Sequence, residues 1–209
     1  MNVQDNISQV ALQKKSAIIE KYGEFGLILQ KLKPIDVQRT IIERGIDSSK
    51  KAFLQENSLS LNQFAQAYSK DKCYLVIELW LYDLNDYAGL KNKMSPEQVR
   101  QVAILFFSEA YMLNFTEMAL FFNRIKKGYY GDFYGVVDPI KFMGFLNQFK
   151  IERREAIERI NMDNENLKRK QSDIDWMKKK ENFTETNLQE ISDLVNNFLK
   201  QTLVQKKKH

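Results

Sequence analysis

The residues best suited to ligand binding lie in one stretch, Lys126–Pro139, which reads KKGYYGDFYGVVDP. Two lysines precede a Gly-x-x-Gly pair, and this spacing lets a backbone approach phosphate groups closely. Tyr129 and Tyr130 would offer rings on which unpaired bases stack, while Lys126 and Lys127 meet the phosphates. The stretch therefore predicts a contact surface for nucleic acid.

A structural interpretation of the same stretch stands beside this one. Glycines at such spacing are common in turns, and aromatic side chains in a glycine-rich loop often attach it to the core. Phe133 and Tyr134 are adjacent, so on a short extended segment they cannot both face solvent. The chain contains neither Gly-x-x-x-x-Gly-Lys-Ser/Thr nor Gly-x-Gly-x-x-Gly, which argues against the usual kinds of nucleotide binding.

A second basic segment, residues 168–180, reads KRKQSDIDWMKKK. Its six basic and two acidic side chains leave a local charge of +4, and Trp176 lies between the cations. Such a run either contacts a nucleic-acid backbone or is simply the solvated face of a helix. In the first case the contacting residues are Lys168, Arg169, Lys170, Lys178, Lys179 and Lys180.

Residue counts exclude several kinds of catalytic and metal site. The chain has one histidine, His209 at its last position, and one cysteine, Cys73. It therefore lacks the residues for a Ser/His/Asp or Cys/His catalytic set and for a nitrogen–sulfur zinc site. Asp132 and Asp138 form no recognisable pair of catalytic carboxylates. We expect a protein that is not an enzyme and that uses no cofactor and no metal.

The composition is typical of a folded, soluble chain. Of 209 residues, 44% are apolar, which is enough for a packed core. The net charge of +5 permits an acidic partner without requiring one. The N-terminus lacks a signal-peptide pattern, and no apolar stretch approaches the ~20 residues that cross a bilayer. The single cysteine, beside an apolar run, is predicted to be a buried, inert thiol and fits a reducing compartment. We therefore expect a cytoplasmic protein without a membrane partner.

Hydrophobic periodicity predicts helices for most of the chain. The first runs from about residue 3 to 22, and another begins at Pro34 and ends at Gly45. Ser48 is predicted to cap a short helical turn, and Ser60 starts a capping box.

The most apolar segment, residues 71–90, is predicted to be a buried central helix that ends at Gly89, with a β-strand as the alternative. Ser95, followed by a first-turn proline, starts the next helix. A further helix restarts at Thr116 and ends before Gly128, which is predicted to be the left-handed residue after the helix end.

The two helices over about 96–113 and 117–127, with the glycine-bearing segment after them, can also be interpreted as a helix-turn-helix with a wing. A recognition helix must present polar side chains to a major groove. The second helix instead carries mostly apolar residues, and its pattern favours core packing.

Asp138 and Pro139 predict the start of a long helix that reaches about residue 180 and either projects or folds back as a hairpin. Arg153 lies on its apolar face, so we expect this side chain to be partly buried and paired with a carboxylate. The candidate partners across the core are Glu78, Glu109 and Glu117.

A last helix, about residues 185–204, carries an apolar stripe that needs a partner, either this chain or another copy. Upstream, Leu167 and Ile174 at seven-residue spacing indicate at most a weak coiled-coil seam. The predicted partner-binding residues are Leu188, Ile191, Val195 and Phe198.

Together these elements predict an all-α protein. A helical-bundle body spans residues 1–160 and contains a short loop or hairpin rich in glycine and tyrosine. A long, charged C-terminal helical arm or helical hairpin spans residues 161–209.

Residues 94–157 resemble a family of small proteins of unknown function from phages and mobile elements of Bacteroidetes. The similar features are the opening MSPEQV, the segment LNFTEMALFFNRIKKGYYGDFYG, Asp138, and the ending FKIERR with Arg153. Val137 and Pro139 depart from the isoleucine and glycine expected around Asp138. The resemblance implies a role beside a replication or mobility machine, and it carries no established activity.

Two functional hypotheses follow. The first is a non-enzymatic accessory factor of a phage or mobile genetic element, whose arm binds DNA or a replication protein such as a helicase, as a helicase loader does. The second is a structural scaffold or assembly protein that forms homo-oligomers through its C-terminal helices. Salt-sensitive DNA binding favours the first, and a stable oligomer without DNA affinity favours the second.

Overall fold

The computed structural model describes the backbone of residues 3–55 and 58–206, and the side chains of residues 12–55, 58–180 and 187–195. These residues are largely helical and form no strand, apart from two isolated β-bridges. The all-α prediction is therefore confirmed. The helices are α1 (Val3–Tyr22), α2 (Phe25–Lys31), α3 (Pro34–Glu43), α4 (Ser49–Phe53), α5 (Leu61–Tyr68), α6 (Lys70–Ala88), α7 (Pro96–Ala110), α8 (Phe115–Lys126) and α9 (Pro139–Lys206).

Three predicted helix starts are confirmed by their caps. The Ser48 side chain accepts a hydrogen bond from the Lys51 N–H at 3.4 Å. Ser60 and Ser95 each form a capping box at the start of α5 and α7. In these two capping boxes the side chain of the glutamine three residues further on also accepts a hydrogen bond from the N–H of the cap residue. Two backbone donors that lack a partner in the helix are thereby satisfied.

The start of α8 differs from the prediction. Asn114, and not Thr116, precedes the helix as its cap: the Asn114 side chain accepts from the Glu117 N–H at 2.8 Å, and the Glu117 carboxylate accepts from the Asn114 N–H at 2.9 Å. The Thr116 N–H donates to the Ser58 hydroxyl at 3.0 Å instead. Asparagine and threonine both suit a cap, and tertiary contacts decide between them here.

Helix α6 lies at the centre of the core, as predicted, and the strand alternative is wrong. It packs against α5, α7 and α8 and ends at Gly89, whose φ of 60° is left-handed. Trp80 is fully buried, and its indole N–H donates to the Leu32 carbonyl at 3.1 Å. The largest side chain of the core therefore has its one polar group satisfied.

A cluster of phenylalanines joins α7, α8 and the first turns of α9. The Phe142 ring lies 6.1 Å from Phe106, 5.5 Å from Phe121 and 5.7 Å from Phe122, measured between ring centroids. Phe149 lies 5.4 Å from Phe121, and all five rings are fully buried. Helix α8 thus turns its apolar residues into the core, so the core-packing interpretation is confirmed and the helix-turn-helix interpretation is wrong.

The two helices predicted after residue 138 are one. Helix α9 runs without a break from Pro139 to Lys206, so the predicted interruption between residues 180 and 185 and the hairpin alternative are wrong. The sequence has no glycine or proline between residues 145 and 206. The asparagines and threonines near residue 184 lower the helix propensity without ending the helix.

The chain divides into two compact units, Met1–Glu158 and Arg159–His209. The first unit contains α1–α8 and the first turns of α9, and the second contains the rest of α9. Among the helices that the structure describes, none combines the length and the apolar character that a membrane span requires.

Candidate nucleic-acid interface

The loop between α8 and α9 begins with a tightly hydrogen-bonded helix end. Gly128 has a φ of 68°, which confirms its predicted left-handed backbone. Its N–H donates to the Ile125 carbonyl at 2.9 Å, and the Tyr129 N–H donates to the Arg124 carbonyl at 2.9 Å, as in a Schellman motif. The Gly131 N–H donates to the Gly128 carbonyl at 3.0 Å. These three N–H groups are occupied within the chain and cannot hold a phosphate.

A carboxylate lies beside the same turn. The Asp132 Oδ1 atom is 2.8 Å from the position that a Cβ atom would take on Gly128. A negative charge at this place repels an anion. Both observations favour a structural turn over a phosphate cradle for the Gly-x-x-Gly segment.

The four aromatic rings of the loop face two ways. Tyr130 stacks on Phe145 of α9 with 5.8 Å between centroids, and Phe133 packs on the same ring at 5.4 Å. Tyr129 is 62% exposed and Tyr134 is 81% exposed. The prediction that Phe133 and Tyr134 do not both face solvent is confirmed. Of the two tyrosines predicted to stack on bases, Tyr130 holds the loop to the core and Tyr129 is accessible.

Arg124 connects the loop to its surroundings. Its guanidinium donates to the Glu152 carboxylate at 2.5 Å, to the Tyr130 hydroxyl at 3.3 Å and to the Asp47 carbonyl at 3.3 Å. It also lies 4.8 Å from the centre of the Tyr129 ring. Burial raises the pKa of the Tyr130 hydroxyl to about 12, although the neighbouring guanidinium acts in the opposite direction. The phenol is therefore neutral at physiological pH.

The sequence did not single out Arg124 for this organising role. The feature of the sequence that could have identified it is an arginine within a helix whose other residues are mostly buried. A long cation in such a place needs partners within the fold, and the same reasoning identified Arg153.

The two lysines of the predicted surface have different environments. The Lys126 ammonium donates to the Asp83 carboxylate at 2.5 Å and to the Gln38 amide oxygen at 3.1 Å, and only 9% of the side chain is exposed. Its charge is therefore largely compensated inside the first unit. Lys127 is exposed and, together with Tyr129, lines a cleft of about 290 Å³ between α3 and α8. The accessible part of the predicted loop surface is thus Lys127 with Tyr129.

The second unit contains the other predicted surface, the basic segment 168–180. Each of its six cations, Lys168, Arg169, Lys170, Lys178, Lys179 and Lys180, is exposed. Lys168 and Lys179 are separated by about three helical turns, so they lie on the same side of α9. Arg169 and Lys180 are related in the same way, whereas the three consecutive residues of each basic triplet spread over roughly half of the helix circumference.

Two of these six cations have exposed groups beside them. Arg169 lies 4.0 Å from Glu165 in a pair whose side chains are both largely exposed, and such pairs are weak. The Lys180 ammonium lies 5.4 Å from the centre of the Trp176 ring, which is itself 61% exposed. A flat ring between cations is a surface on which a base can stack.

The predicted partner-binding residues also lie in the second unit. Leu188, Ile191 and Val195 are each more than half exposed. Phe198 lies outside the residues whose side chains the structure describes. The described part of the predicted apolar stripe is therefore accessible.

Cys73 is a core residue, as predicted. It is fully buried in α6, and its Sγ–H donates to the Leu61 carbonyl at 3.7 Å. Burial raises the pKa of the thiol to about 12, so it is not an activated nucleophile. Among the side chains that the structure describes, no group of three or more His, Cys, Asp or Glu residues could hold a metal ion.

Comparisons with known proteins give one similarity. No curated protein matches the chain, and no solved structure matches it. Residues 93–192, from the start of α7 through the loop and into the second unit, match the model of a family of unknown function, DUF6633. This range contains residues 94–157, so the expected similarity to a family of unknown function is confirmed.

Proposed function

We propose that the protein is a non-enzymatic accessory factor of a phage or mobile genetic element that binds nucleic acid through the basic segment 168–180. One observation carries the proposal: six exposed cations with a local charge of +4 lie along a single helix. Cations on a rigid helix that meet phosphates release condensed counterions, and this release favours binding without base-specific contacts.

The loop of the first unit supplies a smaller second surface in this proposal. Tyr129 offers an exposed ring and Lys127 an exposed ammonium. Stacking on one ring suits an unpaired base and carries little sequence preference. Lys126 and Tyr130, which were predicted to belong to the same surface, are engaged within the first unit. Their contribution is to hold Lys127 and Tyr129 in place.

The biological setting of the proposal comes from the resemblance of residues 94–157. It supports a cytoplasmic adaptor that brings nucleic acid to a replication protein such as a helicase, as a helicase loader does. The match to DUF6633 includes both the loop and the basic segment, so the two surfaces lie in the part of the chain that this family shares.

The test is a titration of the full chain with single-stranded and duplex DNA at about 50 and 200 mM salt. The chain has two tryptophans. Trp80 is fully buried and Trp176 is exposed between the basic triplets, so quenching of tryptophan fluorescence reports contact at the basic segment. A Trp176→Phe variant gives the background from Trp80.

The variant that removes the surface is Lys168→Glu/Lys179→Glu, which reverses two cations on the same side of α9. We expect weaker binding and a salt slope that is flatter by about 1 for each lysine lost. The matched control is Lys14→Glu/Lys15→Glu, which makes the same charge change at exposed positions of α1. Equal binding by the two variants, or no binding by the wild type at low salt, would overturn the proposal.

A second candidate function is a scaffold that self-associates through the second unit. The specific observation in its favour is the exposed apolar stripe that includes Leu188, Ile191 and Val195. Monomeric proteins rarely leave a long row of large apolar side chains in water. Light scattering in the same buffers distinguishes a monomer of 24.7 kDa from an oligomer.

A further inference from the structure

A cleft lies in the first unit, between the end of α7 and the part of α9 around Lys150. One wall consists of the consecutive residues 109–113, and the other is one side of α9 from Asn147 to Arg154. The volume of the cleft is about 420 Å³, which is within the usual range of binding sites. The cleft lies in the range that matches DUF6633 and is separate from the loop surface and from the basic segment.

Apolar side chains form much of the lining of this cleft. Ala110 and Leu113 are buried, whereas Tyr111, Met112 and Ile151 are between 45% and 62% exposed. Large apolar side chains gain free energy when a partner covers them. Tyrosine, methionine and arginine are also the residues in which protein–protein interfaces are enriched. The lining therefore suits a protein partner that brings an apolar side chain of its own.

The charges of the cleft leave one cation without a partner. The Lys150 ammonium donates to the Glu109 carboxylate at 2.6 Å, and Arg153 pairs with the buried Glu117. Arg154 is exposed, and it forms no ion pair with any carboxylate in the described part of the chain. The cleft thus has one uncompensated positive charge, which complements a partner that carries a negative charge beside its apolar side chain.

Arg153 adds a fixed donor beside this free cation. Its Nε and Nη2 atoms donate to Glu117 at 2.8 and 3.4 Å, and its guanidinium lies 5.3 Å from the centre of the Phe53 ring. The Nη1 atom has no hydrogen-bond partner among the residues that the structure describes, and 15% of the side chain is exposed. A guanidinium that is already held in place loses little conformational entropy when it binds a carboxylate, and its planar N–H groups fit that anion well.

These features favour a peptide over other anions. A nucleic-acid backbone presents a row of phosphates and is bound by several free cations, whereas this cleft offers only Arg154 and one free nitrogen of Arg153. Sites for small organic acids enclose most of their ligand, whereas the side chains at the edges of this cleft are about half exposed. A peptide side chain can enter such an open cleft while the rest of the peptide stays outside.

We propose that the cleft binds an acidic segment of a partner protein. A large apolar side chain of this segment contacts Met112 and Ile151, and a neighbouring aspartate or glutamate accepts hydrogen bonds from Arg153 Nη1 and from Arg154. The inference rests on the adaptor role in the proposed function and deepens it, because it states what the protein partner must present. Its test contains no nucleic acid, so its failure and the failure of DNA binding are separate results.

The probe is a phage-displayed library of short random peptides, selected on the immobilised full chain. Each round is first depleted on an Arg154→Glu variant, which reverses the free charge without breaking an ion pair of the described fold. We expect enrichment of peptides that contain an aspartate or glutamate beside leucine, methionine or an aromatic residue. The proposal is overturned if no sequence is enriched, if the enriched sequences lack acidic residues, or if they bind the variant as well as the wild type.

A labelled peptide from the selection then measures the charge contribution by fluorescence polarisation. Arg154→Glu should weaken its binding by about tenfold or more. The matched control is Arg44→Glu, which makes the same charge change at an exposed arginine outside the cleft and should have little effect. Equal affinities of the two variants would contradict the carboxylate contact.

The apolar contact is tested in the same way. Ile151→Ala should weaken peptide binding by about fivefold or more, because it removes apolar surface from the cleft. Leu75→Ala is the matched control, since Leu75 lies in α6 outside the cleft and is 49% exposed, against 48% for Ile151. Equal losses in the two variants would contradict the apolar contact. Arg153 is left unchanged in these experiments, because its removal would leave the Glu117 charge buried without a partner.

Two further comparisons separate the cleft from nucleic-acid binding. Lys168→Glu/Lys179→Glu should bind the selected peptide as the wild type does, whether or not it has lost DNA binding. In the DNA titration at about 200 mM salt, where charges more than about 10 Å apart are largely screened, Arg154→Glu and Arg44→Glu should behave alike. A loss of DNA binding that is specific to Arg154→Glu would assign the cleft to phosphates and overturn the peptide site.

Discussion

Arg153 of α9 donates from Nε to the buried carboxylate of Glu117 in α8 at 2.8 Å, which confirms that this arginine pairs across the core and identifies its partner. Glu117 is fully buried and also completes the α8 capping box with the Asn114 N–H. Burial raises the pKa of the Glu117 carboxyl, although Arg153 and the Asn114 N–H favour its charged form. The ion pair therefore offsets only part of the cost of burying this charge.

Removal of Arg153 alone should be strongly destabilising. In Arg153→Met the Glu117 charge remains buried without its partner, and we expect a loss of about 3–5 kcal/mol in the free energy of unfolding, measured by urea denaturation. Adding Glu117→Gln should recover part of this loss, because glutamine is neutral and still serves in a capping box. The matched control is Lys150→Met, one turn earlier on α9, whose partner Glu109 is half exposed. An equal effect of the two methionine variants would contradict the role of burial.

Glycine replacements at two positions should change stability in opposite directions. Gly128 has a left-handed φ of 68°, so Gly128→Ala should cost about 1–2 kcal/mol and move the Asp132 carboxylate that lies where the new Cβ would be. Gly144 lies inside α9 with no atom near a new Cβ. Gly144→Ala should therefore stabilise the protein by about 1 kcal/mol. The measurement is the thermal unfolding midpoint of each variant relative to the wild type. Midpoint shifts of the same sign in both variants would contradict this account.

The exposed and the packed tyrosine of the loop should have separable effects. Tyr129→Ala should weaken binding of single-stranded DNA by about 1–3 kcal/mol, the usual contribution of one stacked base, with little change in the unfolding midpoint. Tyr130→Ala removes a ring that packs on Phe121 and Phe145, so it should lower the midpoint. If Tyr129→Ala left the affinity for single-stranded DNA unchanged, the loop would not belong to the proposed interface. That result would not bear on the basic segment, which the charge-reversal variant tests.

The buried Cys73 thiol gives a prediction for alkaline pH. Its pKa is raised from 9.0 to about 12 in the folded protein, so the unfolded chain loses this proton first. The stability contributed by the neutral thiol is complete below pH 9 and falls as the pH rises from 9 towards 12. The stability difference between the wild type and Cys73→Ala should shrink by about 1.4 kcal/mol for each pH unit in this range. A difference that is independent of pH would show that the thiol is accessible to water.

Local signals in the sequence were sufficient for most of the helices. Ser60 and Ser95 each lie three residues before a glutamine, and this short spacing specifies a helix start without help from the rest of the fold. The same holds for Gly128, because a left-handed residue after a helix is a local requirement. The end of the central helix at Gly89 follows for the same reason.

Local sequence patterns could not predict contacts between residues that are far apart in the chain. Lys126 was predicted to meet phosphates, yet its partner Asp83 lies 43 residues earlier in the chain, and no periodicity relates the two. The unbroken course of α9 was missed for a different reason. The apolar periodicity thins beyond Ile160, but helix propensity is a sum over many residues and a few weak formers do not end a helix.

The position of Phe142 and Phe149 late in the chain has a consequence for synthesis. Phe106 and Phe121 are translated first, and the rings that cover them follow only after the loop. At ordinary translation rates the interval from Phe106 to Phe149 is roughly 2–9 s. During this time the nascent chain exposes several phenylalanines at the ribosome, and a chaperone that recognises aromatic segments would have its main opportunity there.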